Sequence, residues 1–243
     1  MNSSDPAAGK LIVALDFPAW EEAGQMVDRL PEIKCFKVGL ELYLASGGKA
    51  VAQLRERGKE VFLDLKFHDI PNTVAQASRQ AVLQGAAIFN VHAAGGREMM
   101  ERAALAAREE ALRLGREKPL LVAVTVLTSL NENDLRAIGL NGVENTVARW
   151  ARMARQAGLD GVVASPGEIR LVKESCGSGF LVVCPGVRPA WAAQDDQQRI
   201  LTPGEAIKEG ADYLVVGRPI TRAVNPRQAA LRVLEEIEAA LAG

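Results

Sequence analysis

Two aspartates and a lysine crowd together in Asp64-Leu65-Lys66-Phe67-His68-Asp69, directly after the apolar run Val61-Phe62-Leu63. Successive side chains of a β-strand alternate faces, so Asp64 and Lys66 would point the same way at its end. Asp69 falls just beyond, in the turn that Pro71 opens. An ammonium held between carboxylates stays protonated. It can stabilise negative charge developing on a substrate and then donate a proton to it. Desolvating such a cluster without a function is costly. A surface ion-pair group of little energetic weight is the plain alternative, and on these residues alone the two readings balance.

The elements that would position these groups show in the hydrophobic pattern. Short apolar runs recur at Leu11–Leu15, Lys34–Val38, Glu60–Leu65, Ala87–Val91, Leu120–Thr125, Gly161–Ala164, Phe180–Cys184 and Tyr213–Val216, with amphipathic segments between them. Several are apolar throughout, as parallel strands covered on both faces require. Their number and the chain length of 243 residues predict an α/β fold, a single (β/α)8 TIM barrel. The barrel is expected over residues 10–243, with 1–9 a flexible N-terminal tail lacking the apolar segment of a secretory signal. Among the helices, Met99, Ala103, Ala107, Ala111 and Leu114 mark one apolar stripe, stopped by Gly115. Asn145 is the expected cap of a helix over 146–157, and Thr202-Pro203-Gly204-Glu205 reads as a capping box. The last helix opens at Asn225-Pro226 and should bury Ala230, Leu234, Ile237 and Leu241.

Barrel enzymes place their chemistry at the C-terminal ends of the strands. Those ends carry Asp16, Lys37, the Asp64–Asp69 group, then Asn90 and His92, and after the fifth strand Thr128 and Ser129. Pro185-Gly186-Val187-Arg188 follows the seventh strand and Gly217-Arg218 the eighth, where this fold commonly holds a phosphate. Gly217 lets the main chain come close, and Arg218 offers paired donors. Arg188 and Gln197 lie in a long polar loop, 185–201, suited to closing over such a group. His68 and His92 are expected in supporting roles, and Trp20, Trp150 and Trp191 in packing.

A net charge of −1, from 29 basic and 30 acidic residues, argues against a nucleic-acid or anionic-membrane surface. No run approaches the ~20 apolar residues that cross a bilayer. Cys35, Cys176 and Cys184 lack metal spacing, and with only two histidines no metal site is expected. They read as small buried hydrophobes of a reducing, cytoplasmic protein.

The run Asp64-Leu-Lys66-Phe-His-Asp69-Ile70-Pro-Asn-Thr73, with Lys37 upstream, resembles the orotidine 5′-phosphate decarboxylase family. So do Pro185-Gly186-Val187-Arg188 and Val216-Gly217-Arg218-Pro219-Ile220, and the similarity runs from about Lys10 to the C-terminus. The Asp-x-Lys-x-x-Asp core is shared with phosphosugar decarboxylases and aldolases of a wider suprafamily. The Ile-Pro-Asn-Thr extension and the Pro-Gly-Val-Arg loop are more specific. The resemblance implies decarboxylation of orotidine 5′-phosphate to uridine 5′-phosphate and CO2, the last step of de novo UMP synthesis, without cofactor or metal. It implies a homodimer in which Asp69, Ile70 and Thr73 reach the neighbouring active site. Asp16 and Lys37 would meet the ribose hydroxyls, with Lys37 also joining Asp64, Lys66 and the neighbour's Asp69 in a charged array. Thr128 and Ser129 would border the pyrimidine, and Arg188, Gln197, Gly217 and Arg218 would hold the phosphate. The alternatives are a metal-dependent phosphosugar decarboxylase or synthase, a non-catalytic nucleotide-binding barrel, and a barrel isomerase of amino-acid biosynthesis. The last leaves the Asp-x-Lys-x-x-Asp core unexplained.

Overall fold

A computed structural model describes residues 6–192 and 201–242. Eight parallel strands close into a barrel in sequence order, β8 pairing back onto β1. They are β1 (Leu11–Ala14), β2 (Cys35–Gly39), β3 (Glu60–Phe67), β4 (Ile88–His92), β5 (Leu120–Val124), β6 (Gly161–Val163), β7 (Leu181–Pro185) and β8 (Tyr213–Val216). Helices run between them: α1 (Trp20–Asp28), α2 (Leu40–Ala45) and α3 (Lys49–Glu56), then α4 (Pro71–Gln84) and α5 (Gly96–Arg113). After β5 come α6 (Glu132–Ala137) and α7 (Val143–Gln156), then α8 (Ile169–Cys176), α9 (Pro203–Lys208), α10 (Arg218–Thr221) and α11 (Pro226–Ala242). This is the expected (β/α)8 barrel.

The two-residue period of the strands divides the core in two. Ile12, Cys35, Phe62, Ile88, Val122, Val183 and Val215 face one another in a small inner cluster, joined by Val163 of β6. Their neighbours Val13, Phe36, Leu63, Phe89, Ala123, Val162 and Leu214 face the helices in the larger outer core. Asp64 and Asn90 lie two residues beyond Phe62 and Ile88, so the same alternation carries them inward at the barrel mouth. All three cysteines are free and buried.

Local sequence accounts for most element ends. Thr202 and Glu205 form the expected capping box of α9, with Pro203 in its first turn. Asn145 does not cap α7: that helix begins at Val143, with Gly142 at φ 74° in the cap position. Leu241 is 42% exposed, because the apolar stripe of α11 runs out beyond Ile237. Ala7 and Ala8, assigned above to the tail, are buried in the outer core. β3 runs two residues further than its apolar stretch, to Phe67. Trp20, Trp150 and Trp191 pack against the outer core as expected.

Between β6 and β7 the strands meet closely at Gly161. A Cβ added there would lie 2.3 Å from the Leu181 carbonyl oxygen, which is backbone and cannot swing aside. Gly161→Ala should therefore cost about 1–3 kcal/mol of stability through forced strand separation. Urea denaturation reads this directly, and an unchanged midpoint would contradict the close approach.

Candidate active site

The charged residues expected from the strand ends form a row with alternating signs. Asp16 Oδ1 lies 3.1 Å from Lys37 Nζ, Lys37 Nζ lies 3.4 Å from Asp64 Oδ2, and Lys66 Nζ lies 2.7 Å from Asp64 Oδ1. Four groups from three adjacent strands thus share one chain of contacts. Gly39 gives Lys37 its place: a Cβ at that position would come within 3.0 Å of Nζ. Asp64 and Lys37 are each 13% exposed at the side chain, Lys66 35% and Asp16 59%. Burial pushes the Asp64 carboxyl up, but the charges of Lys37 and Lys66 and hydrogen bonds from Lys66 and Asn90 outweigh it, leaving it below the ordinary aspartate range. In the buried part of the row two ammonium groups face one carboxylate, so the mouth attracts an anion.

The juxtaposition of Asp64 and Lys66 does not come from plain strand alternation. Lys66 has φ 50° and is the only non-glycine residue with positive φ among the described residues. The β3–β4 register shifts between Leu63 and Phe67. A left-handed lysine costs about 1–2 kcal/mol, and such strain collects at functional sites. Asn90, buried in the middle of β4, accepts the Lys66 backbone N–H at 2.8 Å and donates to Asp64 Oδ1 at 2.7 Å.

Two adjoining cavities open from this row. One, of about 190 Å3, is lined by Lys37, Phe62, Asp64, Lys66, Val124, Thr128, Val163 and Ser165. The other, of about 450 Å3, is lined by Asp16, Gly186, Arg188, Gly217 and Arg218, and both share Lys37, Pro185 and Val215. Gly186, at φ 80°, makes the turn that carries Arg188 toward the second cavity. The Arg188 N–H donates to the Leu201 carbonyl at 3.1 Å, tying together the two ends of the long loop. The arrangement suits an elongated anion with a small, mostly apolar end at the charged row and a strongly acidic group near the two arginines. No group of three His, Cys, Asp or Glu among the described residues is arranged to hold a metal, and none of their helices is long and apolar enough to cross a membrane.

Residues 9–233 match the family described as orotidine 5′-phosphate decarboxylase / HUMPS. The chain belongs to this family. It is 56% identical over 235 residues to an orotidine 5′-phosphate decarboxylase of Moorella thermoacetica, covering 96% of this chain and 93% of that protein. It is 50% identical over 237 residues to one from Geotalea daltonii, covering 97% and 98%. Among solved structures, orotidine 5′-phosphate decarboxylase from Lactobacillus acidophilus superposes with a TM-score of 0.84 at 35% identity, covering 94% of this chain and 98% of that one. An uncharacterised conserved protein from Geobacillus kaustophilus gives 0.82 at 41%, covering 93% and 99%.

Of the residues nominated from the family resemblance, Asp16, Lys37, Asp64 and Lys66 meet in the row, and Thr128, Arg188, Gly217 and Arg218 line the cavities. Ser129 is exposed and lines neither. Asp69, Ile70 and Thr73 are exposed and also line neither, and Asp69 Oδ1 accepts the Ile70 N–H at 2.6 Å. Gln197 lies outside the described residues. Two site residues escaped nomination. Asn90 stood in view at a strand end, but nothing in its type distinguished it from a surface amide. Ser165 lies two residues beyond the end of β6 and is the first hydroxyl there. His68 and His92 stack with ring centroids 5.4 Å apart, and His92 Nδ1 accepts the Ala94 N–H.

Because the folded Asp64 carboxyl sits below its unfolded value, its contribution to stability is present above the ordinary aspartate pKa of about 3.9 and is lost as pH falls through the folded value. Asp64→Asn should lower stability at neutral pH by about 1–3 kcal/mol, since two buried ammonium contacts lose their charge partner. It should also flatten the dependence of stability on pH below about pH 4. Urea unfolding across that range measures both, and an acid limb as steep as in the parent would refute the low Asp64 value.

Proposed function

We propose that this chain decarboxylates orotidine 5′-phosphate to uridine 5′-phosphate, with Lys66 as the proton donor in an Asp-Lys-Asp array and no cofactor in the chemical step. The observation that carries this reading is the Asp16–Lys37–Asp64–Lys66 row at the floor of a cavity that continues to Arg188 and Arg218. When the bond from C6 to the carboxyl carbon breaks, CO2 leaves and the electron pair stays on C6 in the ring plane, where the π system delocalises it poorly. Lys66, its ammonium 2.7 Å from Asp64 Oδ1, stabilises that pair and then transfers its proton to C6, and the amine recovers a proton from solvent. A unit charge at ~4 Å in an effective dielectric of ~20 contributes ~4 kcal/mol, about three powers of ten in rate. Asp64 would face the substrate carboxylate, a repulsion relieved as CO2 departs.

Asp16 and Lys37 are the groups for the ribose hydroxyls, Thr128 and Ser129 for the pyrimidine, and Arg188, Gln197, Gly217 and Arg218 for the phosphate. Phosphate binding far from C6 assembles the charged site around the reacting carbon. A homodimer would complete the array with the partner subunit's Asp69, its Ile70 and Thr73 beside it. The exposure of these three residues in one chain, with Ile70 67% exposed, supports that arrangement. The reduced, buried cysteines fit a cytoplasmic setting.

Incubating the purified chain with orotidine 5′-phosphate in EDTA and following the loss of orotate-type ultraviolet absorbance tests the reaction. A metal-dependent phosphosugar enzyme would leave that substrate untouched. Lys66→Ala should lower turnover by about three powers of ten or more with the fold intact, and near-parental turnover would rule out its role. Arg218→Ala should lower kcat/KM by about two to three powers of ten, matched by the loss seen with the dephosphorylated nucleoside. Equal use of that nucleoside would overturn the phosphate assignment. Mixing inactive Lys66→Ala and Asp69→Ala chains should restore about a quarter of parental activity, since random pairing makes about half the dimers mixed, each with one intact site. No recovery after confirmed subunit exchange would place Asp69 in its own chain's chemistry.

A further inference from the structure

β3 and β4 lose their regular pairing where the charged row begins. Phe62 pairs with Ile88 and Leu63 with Phe89, but the next registered pair is Phe67 with Val91. Residues 64, 65 and 66 therefore all stand opposite Asn90. Such a bulge leaves backbone groups without a strand partner, and buried donors of this kind must be satisfied elsewhere. The Asn90 side chain does this at one point and serves the array at another: Oδ1 accepts the Lys66 N–H at 2.8 Å, and Nδ2 donates to Asp64 Oδ1 at 2.7 Å. Asn90 is 1% exposed.

The polarity of this bridge is specific. The amide is the one side-chain type of this size with an acceptor for a backbone N–H and a donor for a carboxylate on the same carbon. Lysine has no short polar side chain with which to support a left-handed backbone on its own, as asparagine and aspartate can. The φ of 50° at Lys66 is therefore held from outside. Asp64 Oδ1 receives both Asn90 Nδ2 and Lys66 Nζ, so one amide fixes the root of the lysine and also the carboxylate that its tip meets.

We propose that Asn90 is a positioning residue, locking the β3 bulge by bridging the Lys66 amide to the Asp64 carboxylate and so setting the direction from which Lys66 presents its ammonium. It rests on the reading of Lys66 as proton donor, and its geometry can be tested without the reaction. The groups facing Asp64 are Lys37 from β2, Lys66 from β3 and Asn90 from β4, with Asp16 one contact further away behind Lys37.

Two variants of the full chain decide it. Asn90→Leu removes donor and acceptor at similar volume. Asn90→Asp keeps the acceptor but sets a second carboxylate against Asp64. In Asn90→Leu, kcat for orotidine 5′-phosphate should fall about 100-fold, while uridine 5′-phosphate affinity stays within about threefold, since ribose and phosphate contacts are untouched. Carbon-detected NMR titration of the Asp64 carboxyl should move up in Asn90→Leu, and by about a unit or more in Asn90→Asp. If Asn90→Leu does not fold, the near-isosteric Asn90→Asp carries the test alone. Parental kcat with an unmoved Asp64 titration in Asn90→Asp overturns the proposal. So does a loss of nucleotide affinity that parallels the loss of kcat, which would mark general disruption. A parental chain that leaves orotidine 5′-phosphate intact sinks the functional reading instead, and the Asp64 titration still decides the role of Asn90.

Discussion

The mouth of this barrel depends on one carboxylate held between two ammonium groups. Asp64 is largely withdrawn from water, and burial by itself pushes its carboxyl toward the protonated form. Lys37 from β2 and Lys66 from its own strand keep it ionised, and the Asn90 amide from β4 adds a neutral donor. Three neighbouring strands thus converge on one group. The dependence is mutual: without Asp64 the two ammoniums, 13% and 35% exposed, would repel each other with no counter-charge between them. Gly39 belongs to the same constraint, since any side chain there would press on Lys37 Nζ.

Much of this was legible in the sequence, for a physical reason. Strands covered on both faces must be apolar throughout, so the eight runs stood out, and polar residues at their ends had to be at the barrel mouth. Capping chemistry is equally local, and Thr202 to Glu205 could be read without a structure. What lay hidden was set by tertiary context. Period-two alternation predicts Asp64 and Lys66 on one face, but the contact is made through a positive φ at Lys66 and a register shift against β4, neither of which the residue types announce. Asn90 was in view at a strand end, but its role was not, because that role depends on a bulge in another strand. Asn145 looked like a cap because its side chain suits one, yet Gly142 reaches the cap position first through a backbone that only glycine adopts easily.

The two ends of the barrel use charge differently. At the N-terminal end Asp160 accepts the Leu121 N–H at 2.7 Å and pairs with Lys118, while Asp212 accepts the Val182 N–H at 2.8 Å and pairs with Lys173. Each carboxylate stands just before one strand and ties down the start of the strand before it. None of these residues has positive φ, and each carboxylate is matched by one lysine and one backbone donor. Such pairs hold strands in register. At the C-terminal end the lysine that matters carries a strained backbone, and the ammonium groups outnumber the buried carboxylate. Regular geometry with balanced charge marks the structural end, and strain with unbalanced charge marks the end fitted for chemistry.

That imbalance links the proposed dimer to the proposed reaction. Within one chain, two ammonium groups share one buried carboxylate, and Asp69 points its own carboxylate at the Ile70 amide, exposed beside the mouth. A second carboxylate supplied by the partner subunit's Asp69 would bring the buried charge to neutrality before substrate arrives. It would also leave Lys66 facing a counter-charge once the substrate carboxylate is lost, at the moment its proton passes to C6. On this view the positive φ at Lys66, the exposed apolar Ile70 and the proposed pairing of subunits would answer one requirement: an ammonium aimed by its own chain and balanced by another.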